Sequence, residues 1–280
     1  MKPLVSICMN TFNHEAYIAR AIEGVLMQQT DFPYQLVIGE DLSTDNTRSV
    51  CEQYAAQYPD RILLLPSDQK YGQNHNMSRT IKSCTGKYIA ICEGDDYWID
   101  PLKLQKQVDF LEMHPQYVLC FHPQHAVDQD GNIVEEAQET GQISFYKGVD
   151  LFHTFVATPS MVFRNCLPYF PEEFYKVKST DAFLCGMLSG YGMAARLNFV
   201  GACYRMHGGG CYNRLSLLGR YKQAVHTRKL MKRSSFFSKE QKKAIRRELY
   251  RREMLYIKSF LKKRELSNCI KMAAFCVLAR

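Results

Sequence analysis

A chain of 280 residues, 46% hydrophobic, is long enough for one large domain, or a domain with an appendage, around a substantial core. Its formal charge of +8 is unevenly spread: residues 211–280 hold 20 Lys and Arg against 4 Asp and Glu, while residues 1–210 hold 16 against 24. No uncharged run approaches the ~20 apolar residues that a spanning helix requires, and the 11 cysteines include no C-x-x-C pair.

Several cysteines sit inside apolar runs (Cys8, Cys92, Cys120, Cys203, Cys276) and read as small buried hydrophobes in a reducing compartment, not as a disulfide framework or zinc site. Met1-Lys2-Pro3-Leu4 leads into a strand without an apolar leader, so the expected location is the cytoplasm.

In chain order, Leu4–Met9 reads as a buried strand, followed by the polar loop Asn10–Asn13 and then by helical spacing at Ala16, Ala19, Ile22, Val25 and Leu26. A second strand, Gln35–Ile38, ends at Glu40-Asp41. Ser43–Asn46 is rich in residues that cap a helix. Ile62–Leu65 is a third strand, a helix ends near Gly86, and Lys87–Cys92 is a fourth strand. Asp100-Pro101 predicts a helix start with an apolar stripe at Leu104, Val108 and Leu111. Val118–Phe121 is a fifth strand and Asp128–Asn132 a turn; strands at Met161–Phe163 and Ala194–Phe199 flank a helix beginning near Thr180, and from Leu215 the pattern is helical to the end. Continuous apolar strands alternating with helices predict an α/β fold whose mostly parallel sheet is sandwiched by helices.

The fourth strand runs straight into Glu93, Asp95 and Asp96. In open α/β sheets ligands bind beyond the carboxyl ends of the strands. Clustered carboxylates repel one another unless a cation sits among them, and a hard divalent ion that bridges phosphate oxygens is the natural occupant. Thr11, Asn13, Glu40 and Asp41 gather polar groups at the ends of the first two strands, where a base N–H or a ribose hydroxyl would find acceptors. Capping of the following helix is the competing role there, above all for Asp45.

Together Val5-Ser6-Ile7 with Thr11-Phe12-Asn13, the box Glu40-Asp41-Leu42-Ser43-Thr44-Asp45, Gly86-Lys87-Tyr88-Ile89 and Glu93-Gly94-Asp95-Asp96 resemble the family 2 glycosyltransferases of the GT-A type, over roughly residues 3 to 210. The resemblance implies a Rossmann-like GT-A domain at 1–210, a basic helical extension at 211–280, and metal-dependent transfer of a sugar from a nucleotide diphosphate sugar, usually with inversion. The D-x-D motif of that family corresponds to Glu93-Gly94-Asp95, with Glu in the first place. It implies Asp95 as a ligand of Mn2+ or Mg2+, and Glu93 and Asp96 as donor contacts. Asn76 and Arg79 resemble nucleotide-facing residues, although Ser78 stands where many relatives have Asn. Asp181, in Ser179–Leu184, matches the acid that acts as general base, with Thr180 in place of the usual Glu; Glu172 and Glu173 are fallback candidates. Tyr204–Gly210 resembles a strand that ends in a basic residue and a histidine before a glycine lid. It implies Arg205 for the diphosphate and His207 for the metal. Thr158–Met161 matches a segment on the acceptor side.

The implied donor is a nucleotide sugar, UDP-linked in the first instance, and the implied acceptor a glycan or lipid-linked hydroxyl in surface polysaccharide synthesis. Two rivals stay open: a catalytically silent nucleotide-sugar binding or assembly protein, and a sugar-phosphate nucleotidyltransferase. Asn10–Asn13 lacks the glycine of the latter's nucleotide loop. Residues 215–264 interleave Lys and Arg with Leu, Tyr, Ile and Phe, so they either lie on an anionic membrane surface or pack as a helical hairpin on the acidic body. No recognition motif for nucleic acid accompanies the charge.

Overall fold

A computed structural model of the protein describes residues 2–139, 141–209, 215–263 and 265–278, with side chains up to residue 275. Gly210 of the glycine run, the expected 210/211 boundary, Arg264 and the Cys276 side chain lie outside the described residues.

The first half alternates as the sequence predicts: β1 (Val5–Thr11), α1 (Ile18–Leu26), β2 (Tyr34–Glu40), α2 (Thr47–Gln57), β3 (Ile62–Leu64), α3 (Gln73–Ser83) and β4 (Tyr88–Ile91). There follow β5 (Tyr97–Trp98), α4 (Lys103–Met113), β6 (Tyr117–Phe121), β7 (His125–Val127), β8 (Ile133–Glu135), β9 (Ser144–Tyr146), β10 (Val162–Arg164), α5 (Thr180–Leu188), β11 (Met193–Arg196) and β12 (Ala202–Arg205). The chain closes with α6 (Leu217–Arg233), α7 (Lys239–Lys262) and α8 (Leu266–Leu278).

An eight-stranded sheet has the order β3-β2-β1-β4-β10-β6-β11-β9. Strands β3, β2, β1 and β4 are parallel, as are β6 and β11, whereas β10 and β9 run antiparallel to their neighbours. Val5, Ile7, Ile38, Ile89 and Ile91 are fully buried. Each such side chain contributes about 1.5–3 kcal/mol of hydrophobic stabilisation. Burial on both faces is why these strands read as apolar runs without alternation.

Three features differ from the sequence expectation or extend it. The helix expected at Asp100-Pro101 begins at Lys103, because Asp100 Oδ1 accepts from Leu102 N at 2.9 Å and spends itself on a preceding turn. A second sheet, β5-β12-β7-β8, has strands of two to four residues, too short to show periodicity. Finally, β10 enters the large sheet at the edge where β4 leaves it, with Val162 opposite Ala90 and Arg164 opposite Tyr88. That reversal carries the preceding 3-10 turn, Thr158–Ser160, to the carboxyl end of β4. Trp98 Nε1 donates to Pro159 O and Gln107 Nε2 to Ser160 O, both at 2.9 Å, which fixes the turn there.

The described residues fall into two units. The first comprises the chain up to Tyr146 with Val156–Cys166 and Gly192–Met206, and holds both sheets and α1–α4. The second comprises Lys147–Phe155, Leu167–Tyr191 and the chain from His207 onward. In it α5 packs with α6 and with the 3-10 turn Gly148–Phe152, and α6, α7 and α8 pack on one another around Val225, Leu249, Tyr256, Phe260 and Met272.

Candidate functional site

Parallel register places the ends of β1, β2 and β4 level. Thr11 lies opposite Glu40, and Gly94 N donates to Asn10 O at 2.9 Å just past β4. Gly94 is tightly enclosed: a Cβ there would stand 2.4 Å from Thr11 Oγ1, so only glycine lets the acidic loop lie against β1.

The loops after β1 and β2 are laced together. Asn13 N donates to Ser43 Oγ at 3.0 Å, Thr44 N to Asn13 Oδ1 at 2.9 Å, His14 N to Thr47 Oγ1 at 2.8 Å and Glu15 N to Asp45 Oδ2 at 3.1 Å. Asp45 Oδ1 also accepts from Thr47 N at the start of α2, the helix-start role weighed for it. Asn13 and Leu42 carry positive φ of 54° and 55°. For leucine this is an unfavourable conformation, and the surrounding hydrogen bonds hold it in place.

Asp41 is buried and its carboxylate accepts from Tyr71 N at 2.6 Å and Gly72 N at 2.9 Å, tying the β2 end to the N-terminus of α3. Glu40 Oε1 accepts from Ser43 N at 2.6 Å, while its buried Oε2 has no hydrogen-bond partner and faces Arg48 Nη1 at 3.9 Å. Asn76 and Arg79 serve the same loop: Asn76 Nδ2 donates to Gly39 O, and Arg79 donates to Asn76 Oδ1, Pro66 O and Glu40 O. Two cation–aromatic contacts flank this region, Arg79 over Tyr71 at 4.2 Å and Lys70 over Phe12 at 3.5 Å.

The three acids after β4 have different surroundings. Glu93 Oε2 accepts from Thr158 Oγ1 at 2.8 Å, a contact created by the reversal of β10. Asp95 is partly open, and its Oδ2 stands 3.8 Å from His14 Nε2, with side-chain exposures of 20% and 17%. The other ring nitrogen, His14 Nδ1, lies 3.2 Å from Thr11 Oγ1, so the imidazole bridges the β1 end and the acidic loop. Asp96 is buried, with Oδ1 accepting from Arg205 N at 2.8 Å and Oδ2 without a hydrogen-bond partner. Burial pushes its carboxyl well above the ordinary carboxylate range, and the charges of Asp95 and Glu93 push the same way.

Arg205 is buried and its guanidinium binds backbone: Nε donates to Asp95 O at 3.0 Å, and Nη1 to Asp128 O at 3.2 Å and Gln129 O at 2.8 Å. It also lies over Tyr17 at 4.7 Å. Arg205 therefore fixes the acidic loop and the Asp128–Asn132 turn from β12.

In the second unit, His207 stands two residues beyond Arg205 in the chain, and its Nδ1 accepts from Gly209 N at 3.3 Å. Asp181 lies half-buried in the first turn of α5, where Ser179 holds the N-cap position without a side-chain cap. Desolvation raises the Asp181 carboxyl, while the Ala182 backbone N–H and the charge of Arg228 pull it back. Ser179 Oγ accepts from Gln223 Nε2 of α6 at 3.1 Å. Glu172 pairs with Lys176 within the 3-10 turn Glu172–Lys176.

Among the predicted residues, the structure brings Thr11, Asn13, Glu40, Asp41, Asn76, Arg79, Glu93, Asp95, Asp96 and Arg205 onto one end of the first unit. Sequence reasoning passed over His14, although it directly follows Asn13 in the polar loop.

The profile of Glycosyl transferase family 2 matches residues 6–191. This chain belongs to that family. Uncharacterized protein Rv1520 of Mycobacterium tuberculosis is 34% identical over 213 residues, which cover 75% of this chain and 60% of that protein. The putative glycosyltransferase EpsE of Bacillus subtilis is 32% identical over 171 residues, 60% of each chain. The dTDP-rhamnosyl transferase RfbG of Shigella flexneri is 30% identical over 147 residues, 49% of each. The chain thus spans three fifths or less of the length of these relatives. Among solved structures, S. aureus TarS 1-349 in complex with UDP-GlcNAc aligns with a TM-score of 0.68 at 19% identity, over 100% of this chain and 81% of that one. The mannosyltransferase PcManGT from Pyrobaculum calidifontis, in complex with GDP-Man and Mn2+, aligns at 0.64 with 15% identity, over 100% and 76%. At these identities they establish the GT-A fold.

Proposed function

We propose that this family 2 member is an inverting glycosyltransferase that takes a nucleotide diphosphate sugar and passes the sugar to a glycan or lipid-linked hydroxyl in surface polysaccharide synthesis. The observation that carries the reading is the pairing of Asp95 with His14 at the level of Thr11, on the sheet edge where β1, β2 and β4 end.

The donor set suits a divalent cation. A carboxylate oxygen and an imidazole nitrogen face each other at 3.8 Å, and the next residue, Asp96, keeps a buried oxygen without a hydrogen-bond partner. Asp95 and His14 would hold the ion. Imidazole in the set favours Mn2+ over Mg2+. When bound, the ion supplies charge to offset that of the departing diphosphate.

Thr11, Asn13, Glu40 and Asp41 frame the nucleotide, and Asn76 and Arg79 support them by holding the carbonyls of Gly39, Glu40 and Pro66 in place. Glu93 is oriented by Thr158, and Asp96 with Arg205 sets the backbone of Asp95. Asp181 takes the proton from the acceptor hydroxyl as it attacks the anomeric carbon, and its raised pKa brings it nearer to the working pH of a general base.

Thr158 engaging Glu93, with Thr180 rather than Glu before Asp181, favours one alternative, a nucleotide-sugar binding protein without turnover. The first experiment is calorimetric titration of UDP, GDP, dTDP and CDP, with and without Mn2+, into the native protein and Asp95→Ala. Metal-dependent binding of one nucleotide that disappears in the variant supports the donor site and names its base. No binding by any of the four to folded protein overturns it. Asp181→Asn then separates transferase from binding protein: an enzyme loses turnover and keeps donor affinity.

A further inference from the structure

The charge of the C-terminal helices is arranged, and the arrangement has a direction. The buried face of α7 carries Ile245, Leu249, Tyr256 and Phe260, packed on α6 and α8. Its two mid-helix acids also face inward. Glu248 is 5% exposed and binds Arg251 and Arg252 at 2.7 and 2.5 Å, and Glu253 is 6% exposed with Lys229 Nζ at 3.9 Å.

The opposite face combines cations with apolar side chains. Lys243, Arg246, Arg247, Arg251, Lys258 and Lys262 are exposed, and Glu240 in the first turn is the exposed acid of the helix among the described residues. Along the middle of that face run Tyr250, Met254 and Leu261, exposed by 63%, 37% and 53%. Spaced by four and seven residues, they fall within about 40° of arc on a helix of 3.6 residues per turn. They form a ridge with Arg246 on one flank and Arg247, Lys258 and Arg251 on the other. On α8, Leu266 and Ile270 repeat the pattern, exposed by 64% and 60% with Lys271 beside them.

We propose that this outer face of α7 seats on an anionic lipid bilayer, with Tyr250, Met254 and Leu261 entering the acyl boundary and the flanking cations meeting phosphate headgroups. The chemistry of the face selects this occupant. A ridge of exposed apolar groups gains nothing from water, whereas cations on both flanks match a negatively charged plane. Pairing of two copies through the same face would set cation against cation, since the mid-helix acids are turned inward. A nucleic acid would use the charge and leave the ridge idle. The inference does not depend on the donor site or on transfer activity.

The test is sedimentation of the whole protein with vesicles of phosphatidylglycerol and phosphatidylcholine in equal parts, against phosphatidylcholine alone, at low and high salt. The expected result is binding to the anionic vesicles, weakened by salt, with little binding to the neutral ones. Each cation near such a surface is worth on the order of a fivefold change in partitioning, so Arg247→Glu with Lys258→Glu lowers it by at least about thirtyfold. Replacing the ridge by Tyr250→Ser with Leu261→Ser, which leaves the charge intact, lowers it by about tenfold. Equal binding to both vesicle types, or to neither, overturns the proposal. So does binding to anionic vesicles that the ridge substitution leaves undiminished, the behaviour of a general polyanion site, and so does a concentration-dependent dimer that ignores vesicles.

Discussion

Two regions of this molecule bury acidic side chains, and they do so in opposite ways. On α7, Glu248 has two arginines within 2.7 Å and satisfied oxygens, so its charge is compensated by the protein. Beyond β4, Glu93, Asp95 and Asp96 stand within four residues of one another, Asp96 keeps an oxygen without a hydrogen-bond partner, and the guanidinium of the adjacent Arg205 is committed to backbone carbonyls. Full pairing inside the chain marks Glu248 as a structural acid, and the orphaned Asp96 oxygen is a feature on which the proposed cation site rests.

Removing the acid that faces outward has the largest expected effect. Asp95→Ala lowers kcat/KM by about 10³-fold, the scale on which loss of preorganised charge stabilisation acts, while urea unfolding of the metal-free protein changes little. Initial rates against Mn2+ concentration check this, and unaltered metal dependence would place the ion elsewhere. Asp181→Asn lowers kcat by about 10²–10⁴-fold, as expected for loss of a general base, with donor affinity retained in the calorimeter. With Asp181 as the proposed base, the acidic limb of the kcat profile lies above the ordinary carboxylate range, because desolvation raises its carboxyl and a general base acts in its ionised form. Arg228→Met moves that limb further up, since the charge of Arg228 lowers this pKa.

The compensated acid predicts the reverse outcome. Glu248→Gln costs about 1–2 kcal/mol in urea unfolding by leaving paired arginines without their partner, discounted because Arg251 is largely exposed, and donor binding is unchanged. Gly94→Ala probes the frame itself: the added Cβ collides with Thr11, costing about 1–3 kcal/mol in stability and weakening donor binding at the same time. Smallest is Arg247→Glu on the outer face of α7, which stays within about 0.5 kcal/mol in stability. A larger loss there would mean that this face is packed against protein.

Much of this was legible along the chain. The first four strands stand where apolar runs put them, α1 where helical spacing put it, α2 directly after its run of capping residues and α3 just before Gly86, and every acid proposed for the donor site in the first unit lies at a strand end. Local pattern suffices there, because a strand buried on both faces admits apolar residues only until it leaves the sheet, so the first polar residues mark the edge where ligands bind. Asn76, Arg79 and Arg205 were legible as polar residues near the site but not as the groups that hold its loops, since hydrogen bonds to backbone carbonyls leave no sequence pattern.

The chain by itself determined the strand-helix alternation, the acidic strand end, the divided charge and membership of a glycosyltransferase family. Tertiary structure alone decided that β10 runs antiparallel between β4 and β6 and brings Thr158 to Glu93, that His14 stands 3.8 Å from Asp95, and that α7 turns Glu248 and Glu253 inward and Tyr250 and Leu261 outward. Periodicity encodes which residues of one element share a face. Which strand lies alongside, in which direction, and which side chains then meet follow from how separate elements pack, and no local spacing carries that.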